Sequence, residues 1–244
     1  MTTLSRSLSL SVLVLLCSCG ARDGAGDALK SARLLAAEGR FDEALEKHVW
    51  FHDHGLDADR SYYGVRLSFA LSEWVELGRK YPKALATLKD IRDEKTSRLI
   101  AGETDKAVFH DVQSINDHLG ETNATVVLFR KIEATRPEFA ASVYNLAEET
   151  LIAAEEYALA REYLGDPKSR MAEARTKFDA GLRYAATSRN PEAARHAHAS
   201  IFTGKAVRII TALKKTGDPD TARELQILAL AVLDNPEIRN AVTH

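Results

Sequence analysis

Five times along this chain of 244 residues, a helix-forming run opens on a turn residue, places a small side chain three positions later and follows it, four further on, with a residue expected to pack inward. The opening pairs are Phe41/Ala44, Tyr81/Ala84, Thr122/Thr125, Tyr157/Ala160 and Pro219/Ala222, and the inward positions are His48, Leu88, Phe129, Leu164 and Gln226. A small residue is required where the two helices of a hairpin cross closely, because a large side chain would force them apart. Gly39, Gly120 and Gly217 stand just ahead of three of these runs, where a preceding helix must end and glycine takes a left-handed cap without strain. No run alternates apolar and polar residues over a strand's length. The pattern dictates an all-α chain of four to five helical hairpins.

The anchors are separated by 40, 41, 35 and 62 residues. The first two intervals are long, and the extra length is expected in 57–60 and in a loop over 96–105. The last interval is too long for one hairpin. It holds a predicted helix over about 168–187 and a second opened by Asn190-Pro191, a capping residue followed by proline at the first helical position. Pro137 sits where the helix of the third run must stop. The apolar segment Leu225–Leu233 is expected to cover the last open core face.

The stretch Gly39-Arg40-Phe41-Asp42-Glu43-Ala44-Leu45-Glu46-Lys47-His48-Val49-Trp50-Phe51 resembles the inter-helix turn and second helix of a tetratricopeptide repeat, whose usual period is ~34 residues. The resemblance covers roughly 28–235, although the tryptophan, leucine-glycine and tyrosine usual in the first helices of this family are mostly missing. It implies a right-handed superhelix of stacked hairpins in one domain, 28–244. It also implies a concave groove lined by the first helices. Mapped onto this chain, that groove takes Arg66, Phe69, Glu73 and Glu76 from the first helix of the second repeat, whose aromatic stretch Tyr62–Trp74 keeps a period near 3.6. From the next first helix it takes His110, Ser114, Asp117 and His118, and from the one after that Asn145 and Glu149. A mixed polar face with one aromatic suits an extended peptide or a partner helix, so the expected partner is a protein or peptide and no cofactor is expected.

The N-terminus is a separate object. Leu8–Leu16 is an apolar run broken only by Ser9 and Ser11, the length of a signal-peptide core and too short to span a bilayer. It leads into Leu16-Cys17-Ser18-Cys19-Gly20, which resembles the lipobox of bacterial lipoproteins. The resemblance implies a leader over 1–18, lipid on Cys19 and a tether over 19–27. Gly20 after the lipidated position implies the periplasmic face of the outer membrane. Both cysteines lie in this segment, so cleavage before Cys19 leaves a single one and no internal disulfide.

Net charge is −2, with no dense basic block, which gives no electrostatic case for nucleic acid. His48, His52 and His54 raise a metal-dependent activity as the competing reading, since residues four apart share a helix face and Asp53 is adjacent. Against it, His48 falls at the inward position of its helix, and His52 and His54 fall toward that helix's C-terminus, where the dipole favours an imidazolium. His196 and His198 are two apart and are expected on the surface. No nucleophile motif, phosphate-cradling glycine loop or calcium-loop spacing is present. The expected function is a non-catalytic adaptor.

Overall fold

A computed structural model describes residues 24–242. The expected leader, Cys19 and most of the tether lie outside the described residues. Among the described residues every regular element is helical, and no helix is long and apolar enough to cross a membrane. The chain forms two compact units that divide between Arg66 and Leu67, where the sequence led us to expect one array over 28–244.

In the first unit, α1 (Ala25–Ala37) packs on α2 (Phe41–Ala58) across a turn in which Gly39 has φ +78°. Ala28, Ala32 and Ala44 are all fully buried, the small side chains that a close crossing requires. The chain then folds back in a 3-10 turn, Arg60–Tyr62, and a single helical turn, α3 (Tyr63–Arg66). Tyr62 meets the Phe51 ring edge-on at 5.7 Å. A Cβ on Gly26 would lie 2.5 Å from the Tyr62 hydroxyl, so a larger residue there would have to displace this ring.

The second unit runs through α4 (Phe69–Lys80), α5 (Pro82–Ala101), α6 (Lys106–Leu119), α7 (Thr122–Thr135), α8 (Pro137–Ala153) and α9 (Tyr157–Leu164). It continues with α10 (Pro167–Thr187), α11 (Pro191–Lys215), α12 (Pro219–Val232) and α13 (Pro236–Asn240). Nearly all of its helices pack on the next in sequence. From α4 to α8 they also pack on the next but one, so α4, α6 and α8 form one layer and α5 and α7 another. One core cluster is built around Phe109, Phe129 and Tyr144, and a second around Phe178, Phe202 and Ile209, with Ile152 of α8 packed against both.

All six prolines of the chain occupy first helical positions, where the missing N–H is no loss and the fixed φ already suits the helix. Four of them follow Asp166, Asn190, Asp218 and Asn235, each accepting a backbone N–H of the first turn. The crossing of α4 on α5 is close: a Cβ on Gly78 would lie 2.9 Å from Leu85 Cβ, and Trp74 Nε1 donates to the Ala84 carbonyl at 2.9 Å.

The anchors hold their places. Ala44, Ala84, Thr125, Ala160 and Ala222 are buried, as are His48, Leu88, Phe129 and Leu164 four residues on. Gln226 is half-buried and donates to the carbonyls of Ile238 and Arg239, which fastens α13 to α12. Gly39, Gly120 and Gly217 all have positive φ.

Three expectations need correction. The expected loop over 96–105 is mostly helix: α5 continues to Ala101, only 102–105 remain as connection, and the Arg136 guanidinium donates to the Leu99 carbonyl in the last turn of α5 and to the Glu103 carbonyl in the connection. The expected helix over Tyr62–Trp74 is interrupted at Leu67 and Ser68, between α3 and α4. Leu225 and Ala229 do bury against the core, but Ile227 is 63 % and Leu228 50 % exposed on the outer face of α12, and α13 supplies the remaining cover with Ile238. The long final interval is filled as expected, by α10 and α11 of 21 and 25 residues.

Candidate functional site: a polar face on α4, α6 and α8 and an amphipathic cavity beside it

The side chains named from the sequence for the first-helix face, other than Arg66, lie on α4, α6 and α8 of the second unit. Glu73 and Glu76 on α4 line a concavity of about 340 Å³ with His118 of α6. His118 Nδ1 lies 2.8 Å from the Ser114 carbonyl, which fixes the ring, and Ser114 itself is buried. On the next turn of α6, Asp117 accepts from Gln113 Nε2 and stands close enough to Glu149 of α8 for the two charges to interact. Burial first, and Glu149 second, push the Asp117 carboxyl above its usual value, with His118 pulling the other way. Asp117 still shows an exposed edge to solvent. Like charges on neighbouring helices make ionisation of a carboxylate more costly and favour a cation placed beside it.

The remaining predicted residues divide. Asn145 is exposed on α8, and its side-chain carbonyl accepts from Arg170 Nη1 at 3.2 Å. Glu149 Oε2 accepts from Arg208 Nη1 at 2.9 Å. Phe69 projects at the start of α4 with 68 % of its surface exposed, and His110 is half-buried on α6. Arg66 does not join this face. It is buried in the first unit, where its Nε donates to the His52 carbonyl at 2.6 Å and its Nη2 lies 3.3 Å from His52 Nε2.

That arrangement also places the histidines. His48 and His52 are both buried, and His52 sits under a guanidinium rather than beside the helix end. His54 is exposed, 5.9 Å from the Trp50 ring and 3.9 Å from Asp57. Burial pushes the His48 imidazole down to about 4, and Arg33 adds to the effect. Among the described residues no group of three or more His, Cys, Asp or Glu side chains is placed to hold a metal ion. His196 is exposed, and His198 packs against Gly181 and the Tyr184 ring.

Past α8, the sequence reading missed a cavity of about 420 Å³ bounded by α8, α10 and α11. At its polar end Glu148, 2 % exposed, accepts from Lys205 Nζ at 2.8 and 2.7 Å, from Arg208 Nε at 3.2 Å and from the Tyr144 hydroxyl at 3.3 Å. Arg170 Nε donates to the Leu164 carbonyl at 3.0 Å, which pins this guanidinium at the end of α9. Burial pushes the Lys205 ammonium below its ordinary pKa and Arg208 and Arg170 push the same way, while Glu148 holds it up. Burial and Glu148 push the Tyr144 phenol well up. The opposite wall is apolar: Phe178 and Phe202 stack at 5.1 Å, with Ala174 and the 64 % exposed Ile201 beside them. Glu148 and its cations are 57 and 60 positions apart, and α10 and α11 fall in the interval that departs most from the repeat spacing.

Comparison with family models, with curated proteins and with solved structures gave no match for this chain.

Proposed function

We propose that this protein is a non-catalytic adaptor of the bacterial cell envelope. It is a tetratricopeptide-like right-handed superhelix that binds a protein or peptide partner along the face of α4, α6 and α8. The observation that carries this reading is the juxtaposition of polar side chains from α4, α6 and α8: Glu73 and Glu76 with His118, and Asp117 with Glu149, which pairs in turn with Arg208 of α11. A line of four carboxylates ending at an arginine selects a partner with a basic stretch, and Phe69 supplies an exposed aromatic anchor. Helices that pack on their neighbours and next neighbours, with buried small residues at each crossing, support the array.

The partner is captured from an envelope extract with the wild-type protein and with the Glu76→Lys, Asp117→Lys, Glu149→Lys variant, after circular dichroism has shown equal helicity. Proteins retained by the wild type should be lost from the variant, and the loss should grow with salt for any residual binding. Equal recovery of the same proteins would remove the binding face.

The address belongs to the same proposal. Lipid on Cys19 would hold the protein at the periplasmic face of the outer membrane, because more than one acyl chain on a single residue anchors far more firmly than one. A Cys19→Ala chain should leave the membrane fraction and lose acyl mass. Retention in the membrane without acyl loss would refute the anchor.

A further inference from the structure

The cavity between α8, α10 and α11 is built from two chemically opposite walls, and its charge does not balance. Arg170, Lys177, Lys205 and Arg208 line it against only two lining carboxylates, Glu148 and Glu173, in a chain whose overall charge is −2. The acids are already committed. Glu148 takes Lys205 and Arg208, and Glu173 takes Lys177 at 2.7 Å and faces Arg170 at 3.7 Å. Donors remain. Arg208 spends Nε on Glu148 and Nη1 on Glu149, and Arg170 spends Nε on Leu164 and Nη1 on Asn145. The Nη2 group of each makes no hydrogen bond among the described residues. Two guanidinium edges with unused N–H groups therefore border the same cavity, held in place by bonds to helix carbonyls and to a buried carboxylate. Facing them, the stacked Phe178 and Phe202 and the exposed Ile201 offer a dry surface.

We infer that this cavity binds a small amphiphilic organic anion, with its ring or short acyl chain against Phe178, Phe202 and Ile201 and its carboxylate or sulfonate on the Arg170 and Arg208 guanidiniums. The volume of about 420 Å³ falls within the range of small-molecule sites, which combine a mostly apolar lining with a few fixed polar groups. Guanidinium groups suit the head group because their planar N–H edges match a carboxylate in pairs. This site adjoins the partner face through Asn145 and the Glu149–Arg208 pair, but its apolar wall of Phe178, Phe202 and Ile201 lies outside that face, so a change at Ile201 tests the cavity separately.

The probe is decanoate below its micelle concentration, titrated into the purified protein by isothermal calorimetry. Decyltrimethylammonium, with the same chain and the opposite charge, is the control. Decanoate should bind with one-to-one stoichiometry and weaken with added salt, and the cationic analogue should not bind. Ile201→Asp and Lys177→Glu change side chains that are largely exposed, so both variants keep the fold. Ile201→Asp should lower decanoate affinity by about tenfold or more through repulsion and a lost apolar contact, and Lys177→Glu by roughly threefold. Absence of saturable decanoate binding, equal binding of the cationic analogue, or wild-type affinity in Ile201→Asp would overturn the assignment.

Discussion

Thr125 stands where alanine occupies the other four crossings, and the structure gives the reason. Its hydroxyl accepts from Asn116 Nδ2 at 3.0 Å, while Asn116 Oδ1 accepts from Arg92 Nη1 at 2.7 Å and the same arginine reaches Glu121 at 2.7 Å. The small-residue position is thus used at the third crossing to join α5, α6 and α7 through a buried polar chain, tolerable because each buried group is bonded. His48, like Gln226, is a polar residue at an inward position, and it carries a pH consequence. Its folded pKa of about 4 lies below the ordinary value of 6.5, so the stability it contributes is present above about 6.5 and is lost as pH falls through 4. The loss amounts to at most about 3 kcal/mol, confined to the first unit. Urea titrations of the wild type and of His48→Leu across this window should show a steep acid loss in the former that is shallower by that amount in the latter. Parallel pH dependence would mean that His48 does not control it.

At the scale of elements, the crossings are the firmest part of the account. Ala84 is fully buried beside the bond from Trp74 to its own carbonyl and beside the tight approach of Gly78 to Leu85. Ala84→Leu should therefore overpack the α4–α5 crossing and destabilise the second unit by roughly 1–3 kcal/mol in urea unfolding, and unchanged stability would remove the register. The helix starts are legible in the sequence: Asn190-Pro191, Asp166-Pro167, Asp218-Pro219 and Asn235-Pro236 all pair a capping residue with proline and open α11, α10, α12 and α13. The break at Leu67 and Ser68 was not legible, because the apolar residues of Tyr62–Trp74 keep a helical period through it. What interrupts the helix is tertiary: Arg66 turns back to His52, fourteen residues earlier. The extension of α5 to Ala101 was hidden for a similar reason. Arg136, from beyond the following helical hairpin, donates to the Leu99 carbonyl in the last turn of α5 and to the Glu103 carbonyl just past it.

Across the whole molecule, the two candidate sites differ in how far the sequence disclosed them. The proposed face takes Glu76, Asp117 and Glu149 from one stripe each of α4, α6 and α8, a pattern that a sequence displays without any long-range contact. The amphipathic cavity was not readable, since it depends on Glu148 meeting Lys205 and Arg208 from helices outside the repeat spacing. The central claim is that the α4–α6–α8 face, and not the α5–α7 layer, receives the partner. Its most direct test is photo-crosslinking in cells, with a photoreactive side chain placed singly at Glu76, Asp117 or Glu149, or at the exposed Ile100 of α5 or Val127 of α7. The account predicts that one and the same protein crosslinks from the three acidic positions and not from Ile100 or Val127. Crosslinks to that protein from Ile100 and Val127, with none from the three acidic positions, would contradict it.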